Sequence, residues 1–223
     1  MVPKSGTQVK SFKVLENRIL CEGTHCLRTE RPASTIRAGQ CFSVGLSSLG
    51  INREYSMYSA ANDEFVEFLI RVVPDGVVSP WLAKCAVGDL VEIGGPYGDF
   101  CLAEDDVKTR DFVFIATGTG IAPFHSFIRT FPSLEYRVYH GIRHEVEQYD
   151  IGDYDTSRYE AAISRPTNGT IVTQRVTDLI ENANLSNESL YYLCGNQKMI
   201  TDVIAILLKR GIPGGSIFTE TFF

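Results

Sequence analysis

The chain has 223 residues, 44% hydrophobic and 22% charged, with a formal net charge of −6. That length accommodates one large domain or two of about 100 residues, and the acidic total argues against nucleic acid as a general partner, because phosphate binding needs a basic surface. "MVPKSGTQVK" has no apolar signal region and runs such as "VIAILL" (203 to 208) fall far short of the roughly 18 residues that span a bilayer, so we expect a cytoplasmic protein with no membrane span.

Charge is unevenly divided along the chain. Residues 1 to 53 carry eight Lys or Arg against three acids, whereas residues 54 to 107 carry two against eleven. As a block, the basic segment is a candidate docking face for an acidic partner. The six cysteines, at 21, 26, 41, 85, 101 and 194, show no paired spacing, so free thiols are expected. Cys21, His25 and Cys26 match neither a structural zinc pattern nor a cluster-binding run, and no metal is expected.

Up to about residue 107, short runs rich in β-branched and aromatic residues ("VKSFKVLEN", "CFSVGL", "FVEFLIRVV", "LVEIGG") are punctuated by Gly, Pro, Asn and Asp. This is the pattern of an antiparallel β-barrel or sandwich. Within it, "REYSMYSA" (53 to 60) reads as a strand running into a turn with an unusual polar group, Arg53, Tyr55 and Ser56. "PDGVVSPWL" (74 to 82) offers Gly76, Ser79 and the amides of a short helix after Pro80, which together could hold a phosphate.

"AEDDVKTRD" (103 to 111) is the expected junction, with domains at 1–107 and 108–223. After it, apolar strands alternate with helical stretches, which implies an α/β parallel sheet covered by helices. "DFVFIATG" leads into "APFHSFIRTF", "YRVYHGIR" and "YEAAISR" are followed by "VTDLIENA", and "LYYLCG" leads into "MITDVIAILLKRG", a helix expected to stop at Gly211. In "ATGTGIAP" (116 to 123), Gly118 and Gly120 permit a tight turn and close approach of a ligand, and Pro123 suits a first helical turn. The amides there favour a pyrophosphate, flanked by Thr117 and Thr119. None of the histidines at 25, 125, 140 and 144 lies in a hydrolase motif.

These stretches, in this order and over nearly the whole chain, resemble the ferredoxin-NADP reductase family of flavoproteins. The resemblance implies a first domain that binds FAD and a second that binds NADP(H). It implies that Arg53 binds the FAD pyrophosphate, Tyr55 packs on the isoalloxazine, Ser56 hydrogen-bonds flavin N5, and "GVVS" (Gly76, Val78, Ser79) is a second flavin-phosphate segment. "GTGIAP" is similar to the family's nicotinamide-nucleotide loop, and "LCGNQKM" (193 to 199) to its C-G motif, which would set Cys194 and Gly195 beside the nicotinamide and Met199 in the helix beneath the nucleotide. "FTETFF" resembles the family's ending, with Phe222 over the flavin face, Phe223 further along the cofactor, and Glu220 joining Ser56 and Cys194 as catalytic residues. A 2′-phosphate needs a cationic or hydroxyl pocket, and Arg143, Ser164, Arg165 and Arg175 stand where NADPH-using relatives carry such groups.

The implied activity is electron transfer from NADPH through bound FAD to a separate ferredoxin or flavodoxin chain. A flavin reductase that releases its flavin, a reductase component of an oxygenase, and a flavin-binding interaction or redox-sensing subunit without turnover are the alternatives.

Overall fold

A computed structural model describes residues 10–46, 50–167, 169 and 173–222. The chain separates into two compact units, Met1–Cys101 and Leu102–Phe223. Where the sequence places the change at 107 and 108, the structure divides after Cys101, and the stretch read as a junction contains a helix, Glu104–Thr109.

The first unit contains β1 (Lys10–Cys21), β2 (Thr24–Glu30), β3 (Cys41–Leu46), β4 (Ile51–Ser56), β5 (Phe65–Arg71), α1 (Val78–Leu82) and β6 (Leu90–Tyr97). All pairings are antiparallel, in the order β4-β3-β6-β1-β2-β5. Strand β1 serves both halves: Lys10 to Lys13 pair with β6, and from Val14 on it pairs with β2, with a register shift between Val14 and Glu16. Such a shift increases local twist and curls a sheet. The two edge strands meet at one bridge beyond β4, Met57 with Phe68, beside a Tyr58 N–H that donates to the Glu67 carbonyl at 2.8 Å. The expected barrel is therefore a barrel-like sheet, curled until its edges touch, without a closed ladder. Phe42, Val44, Met57, Phe68, Leu82 and Ile93 fill it.

Strand β2 was not anticipated by the sequence, because His25 and Arg28 interrupt its apolar pattern. Arg28 is tolerated because its neighbours in register are Glu16 on β1 and Glu67 on β5, both acidic. Its guanidinium reaches Glu67 Oε1 at 2.8 and 3.0 Å and Glu16 Oε2 at 3.0 Å, and lies 4.1 Å above the Phe65 ring.

The second unit contains α2 (Glu104–Thr109), β7 (Phe112–Thr117), α3 (Ala122–Thr130), β8 (Tyr136–Ile142), β9 (Tyr159–Ile163), α4 (Val176–Asn182), β10 (Leu190–Asn196), α5 (Gln197–Lys209) and β11 (Ile217–Phe222). Its sheet is wholly parallel, in the order β11-β10-β7-β8-β9. The chain runs outward from β7 to β8 and β9, then returns to the other side of β7 with β10. The order thus reverses between β7 and β10, which is where open parallel sheets bind ligands at their carboxyl ends.

Helix α5 ends as its sequence predicts. Gly211 has φ +84°, its N–H donates to the Leu208 carbonyl at 3.0 Å, and the Ile212 N–H donates to Leu207 at 3.0 Å. This is a Schellman stop, and its apolar partners Ile212 and Leu207 are both buried.

Candidate cofactor and nucleotide sites

The carboxyl ends of β7 and β10 are tied together by side-chain hydrogen bonds and by close backbone approach at two glycines. Thr117 Oγ1 ends β7 and accepts two hydrogen bonds from Asn196, from its N–H at 3.1 Å and its Nδ2 at 3.0 Å. Asn196 Oδ1 in turn accepts the Met199 N–H at 2.8 Å and caps α5. Gly118 has φ +53° and opens a 3-10 turn, Gly118–Ile121, that continues into α3 with Pro123 in its first turn. A Cβ on Gly120 would stand 2.5 Å from the Cys194 carbonyl oxygen, and one on Gly195, where φ is +139°, would collide with Thr117 Oγ1. The two glycines let the turn press directly on the C-G end of β10. The result is a cradle of backbone at a switch point, opening onto a helix whose first amides have no carbonyl partner within the helix.

Sequence reasoning missed what lies beneath this turn. His140 on β8 is fully buried; its Nε2 lies 2.8 Å from the Gly118 carbonyl and its Nδ1 2.7 Å from the Tyr159 hydroxyl. Burial pushes its pKa down to about 4, so the ring is neutral near pH 7. The surrounding letters read as an ordinary strand, and only a histidine between Tyr139 and Gly141 marked the position.

Cys194 and Glu220 are in register on neighbouring strands, with Sγ 3.9 Å from Oε2. Burial, reinforced by the nearby carboxylate, pushes the Cys194 thiol well above its ordinary pKa, so it is a neutral thiol and not a thiolate nucleophile. Phe222 is half-buried and in register with Asn196. Phe223 lies outside the described residues.

At the carboxyl ends of β8 and β9, the Ser164 N–H donates to Ile142 at 2.9 Å and the Arg165 N–H to Arg143 at 2.8 Å, which brings those residues side by side. The Ser164 hydroxyl donates to the Ile142 carbonyl at 3.1 Å, so its proton is already engaged. Arg175 precedes α4, its N–H held by Asp178 Oδ2 at 2.8 Å, and the next residue, Val176, packs over Gly141 of β8. Glu145, which the sequence did not single out, accepts the Thr167 N–H at 3.0 Å and its hydroxyl at 2.9 Å at the same end of the sheet.

In the first unit, β4 carries the polar group. Arg53 is exposed and donates to the Asn52 carbonyl at 2.7 Å, Tyr55 is half-buried against Phe68, and Ser56 is buried. Burial pushes the Tyr55 phenol up to about 12, an effect the neighbouring Arg53 reduces, so a neutral ring is offered. The turn at 73 to 79 closes on itself: the Gly76 N–H donates to the Val73 carbonyl at 2.9 Å, and the Val73 N–H to Ser79 Oγ at 3.0 Å. A Cβ on Gly76 would stand 3.1 Å from the Val73 carbonyl oxygen. Helix α1 begins at Val78 and includes Pro80 in its first turn, whereas the sequence places its start after Pro80. An exposed cation, a neutral aromatic face and a glycine-serine turn form a donor set that fits an aromatic cofactor with phosphates.

Of the basic residues in 1 to 53, Arg28 and Arg37 are partly neutralised by Glu16, Glu67 and Asp99, which reduces the charge offered by that segment. Among the described residues no group of three or more His, Cys, Asp or Glu is placed to hold a metal, and no helix is long and apolar enough to cross a membrane.

An antiparallel first unit bearing this donor set and a parallel second unit with a backbone cradle at its switch point define a two-domain protein of the cofactor- and nucleotide-binding class. Residues 11–101 match the oxidoreductase FAD-binding domain family and residues 114–204 the oxidoreductase NAD-binding domain family. The chain belongs to the ferredoxin-NADP reductase family and binds FAD and a nicotinamide dinucleotide. It is 31% identical over 199 residues to the toluate 1,2-dioxygenase electron transfer component of Pseudomonas putida, covering 82% of this chain and 58% of that protein. It is 27% identical to the flavodoxin/ferredoxin-NADP reductase of Escherichia coli, covering 79% of this chain and 80% of the relative. The crystal structure of a cytochrome P450 reductase from Amycolatopsis superposes with a TM-score of 0.85 at 27% identity, covering 98% of this chain and 72% of that one. Against five curated relatives, the toluate protein among them, the chain spans only 26% to 60% of their length.

Proposed function

We propose that this reductase takes its electrons from NADPH and passes them through FAD to a separate one-electron carrier, a ferredoxin or flavodoxin. The observation that carries the donor side is the grouping of Arg143, Arg165 and Arg175 around the carboxyl ends of β8 and β9, where hydrogen bonds between the strand ends fix two of the three backbones. A 2′-phosphate is the nicotinamide-nucleotide feature that such a group of guanidiniums discriminates. Glu145 opposes that phosphate less than its charge implies, because both its oxygens are engaged by Thr167.

Bound FAD supplies the capacity to accept a hydride and release electrons singly. The protein's share is placement. The turn at Gly118 to Ile121 holds the nicotinamide nucleotide's pyrophosphate, Cys194 offers a neutral thiol at the nicotinamide, and Glu220 sets the local charge. In the first unit Arg53 and the Gly76 to Ser79 turn, with Val78, hold the FAD phosphates, Tyr55 offers its ring to the flavin, and Ser56 offers its hydroxyl to flavin N5. Phe222 and Phe223 are assigned to the flavin by resemblance. None of the six cysteines is in a disulfide, which supports a reducing compartment, the cytoplasm.

The acceptor has a second reading. Similarity to the toluate dioxygenase component supports service to an oxygenase, whereas similarity to the E. coli flavodoxin/ferredoxin-NADP reductase supports the carrier reading. Arg165→Ala should raise the KM for NADPH about tenfold or more, as loss of a charge-assisted phosphate contact does, and leave that for NADH within about twofold. Equal effects on both, or a wild-type preference for NADH, would refute the NADPH assignment. Faster reduction of an oxygenase component than of ferredoxin or flavodoxin would replace the acceptor.

A further inference from the structure

We propose that His140 is a positioning residue for the nicotinamide nucleotide: from beneath the turn, it holds the Gly118 carbonyl inward and so aims the Thr119 amide outward. This rests on the reading of that turn as the pyrophosphate site.

The direction of each hydrogen bond follows from its partners. A carbonyl only accepts, so at 2.8 Å from the Gly118 oxygen His140 Nε2 carries the proton. The ring is neutral, as its lowered pKa requires, so Nδ1 is bare and accepts the Tyr159 O–H at 2.7 Å. The chain runs one way, from the Tyr159 hydroxyl through imidazole to the Gly118 carbonyl. A flipped ring would offer neither partner what it needs. Tyr149 and Tyr159 frame the ring, at 6.1 and 6.0 Å between centroids and interplanar angles of 57° and 76°.

The consequence for the turn comes from the peptide plane. The only cis peptide among the described residues is Gly95-Pro96, so the Gly118–Thr119 bond is trans. In a trans peptide the carbonyl and the following N–H point in opposite directions. With the Gly118 carbonyl drawn down to the buried imidazole, the Thr119 N–H points away from it, toward the mouth of the cradle between β7 and β10. Gly118 allows this because it adopts φ +53°, a left-handed conformation costly for most residues. Nothing else in the turn requires a histidine below it: the glycines account for its close approach to β10, and Thr117 with Asn196 for its anchoring to that strand.

The test compares His140→Leu, which cannot donate, with His140→Gln, whose amide nitrogen can replace Nε2, and with Tyr159→Phe, which removes the donor to Nδ1. Each is prepared with FAD bound. Hydrogen exchange over residues 117 to 122 and direct titration with NADP+ and NAD+ are the readouts, together with kcat and KM. Loss of one buried hydrogen bond is worth about a tenfold change. His140→Leu should therefore exchange faster in the turn and bind both nucleotides about tenfold more weakly, because the pyrophosphate is common to both. Its kcat at saturation should stay within about twofold, and His140→Gln should recover most of the affinity. Tyr159→Phe should fall between wild type and His140→Leu. Unchanged exchange in the turn of folded His140→Leu overturns the proposal. Faster exchange with unchanged affinity for either nucleotide overturns it differently, by showing that the pyrophosphate does not sit on this turn. If His140→Leu fails to fold, Tyr159→Phe with wild-type exchange and affinity is the refuting result.

Discussion

At Gly120 a single methyl group decides whether the nucleotide turn can form. A Cβ there would meet the Cys194 carbonyl carbon at 2.8 Å and Gly195 Cα at 2.8 Å, and both are backbone atoms of a central strand that cannot yield as a flexible side chain does. Gly120→Ala should cost about 1 to 3 kcal/mol, the range of an overpacked core, and nucleotide affinity should fall because the turn is displaced from β10. Chemical denaturation and nucleotide titration of the same variant check both effects. His140 yields a second prediction at this scale. Its pKa falls from 6.5 to about 4 because burial penalises the charged ring, and the groups that face it, Tyr149, Tyr159 and the Gly118 carbonyl, bring no carboxylate to offset that. The unfolded chain therefore takes up the proton first. Stability from this site is complete above pH 6.5 and declines as pH falls toward 4, by about 3 kcal/mol in all. His140→Gln should flatten the stability profile between those limits, as read by urea unfolding at a series of pH values.

At the scale of elements, one side chain joins two of them. Asn196 caps α5 through Oδ1 and ties β10 to β7 through its N–H and Nδ2, so Asn196→Ala should lose the cap, about 1 kcal/mol, and loosen the turn after β7. Thermal unfolding would report the first loss, and a weaker nicotinamide-nucleotide affinity with unchanged FAD content the second. The elements also show what was legible. Helix α5, with its apolar period and a glycine stop, and β7, an apolar strand entering a glycine-rich turn, could be read directly, because local chemistry determines both. Strand β2 could not, because Arg28 becomes acceptable only when Glu16 and Glu67 arrive beside it from β1 and β5. His140 was hidden for the same reason. Its value depends on a carbonyl 22 residues earlier in the chain and a hydroxyl 19 residues later, contacts that no local pattern records. Glu145 was passed over because its partner, Thr167, is also 22 residues away.

Across the whole molecule, the ordered motifs conveyed the architecture well and the edges of its parts less well. The two kinds of sheet were readable from strand composition and spacing, while the division after Cys101 was not, since the acidic run at 104 to 106 looks like a linker and is instead the start of α2 with acids in its first turn. Each unit holds its own set of assigned residues, and the account requires both sets to serve one reaction. An anaerobic titration of the protein as purified, without added flavin, tests this most directly. The account predicts a yellow protein whose bound FAD is bleached stoichiometrically by NADPH, and much more slowly by NADH at the same concentration. A colourless protein that reduces only added free flavin, or bound FAD that NADPH does not bleach, would contradict it.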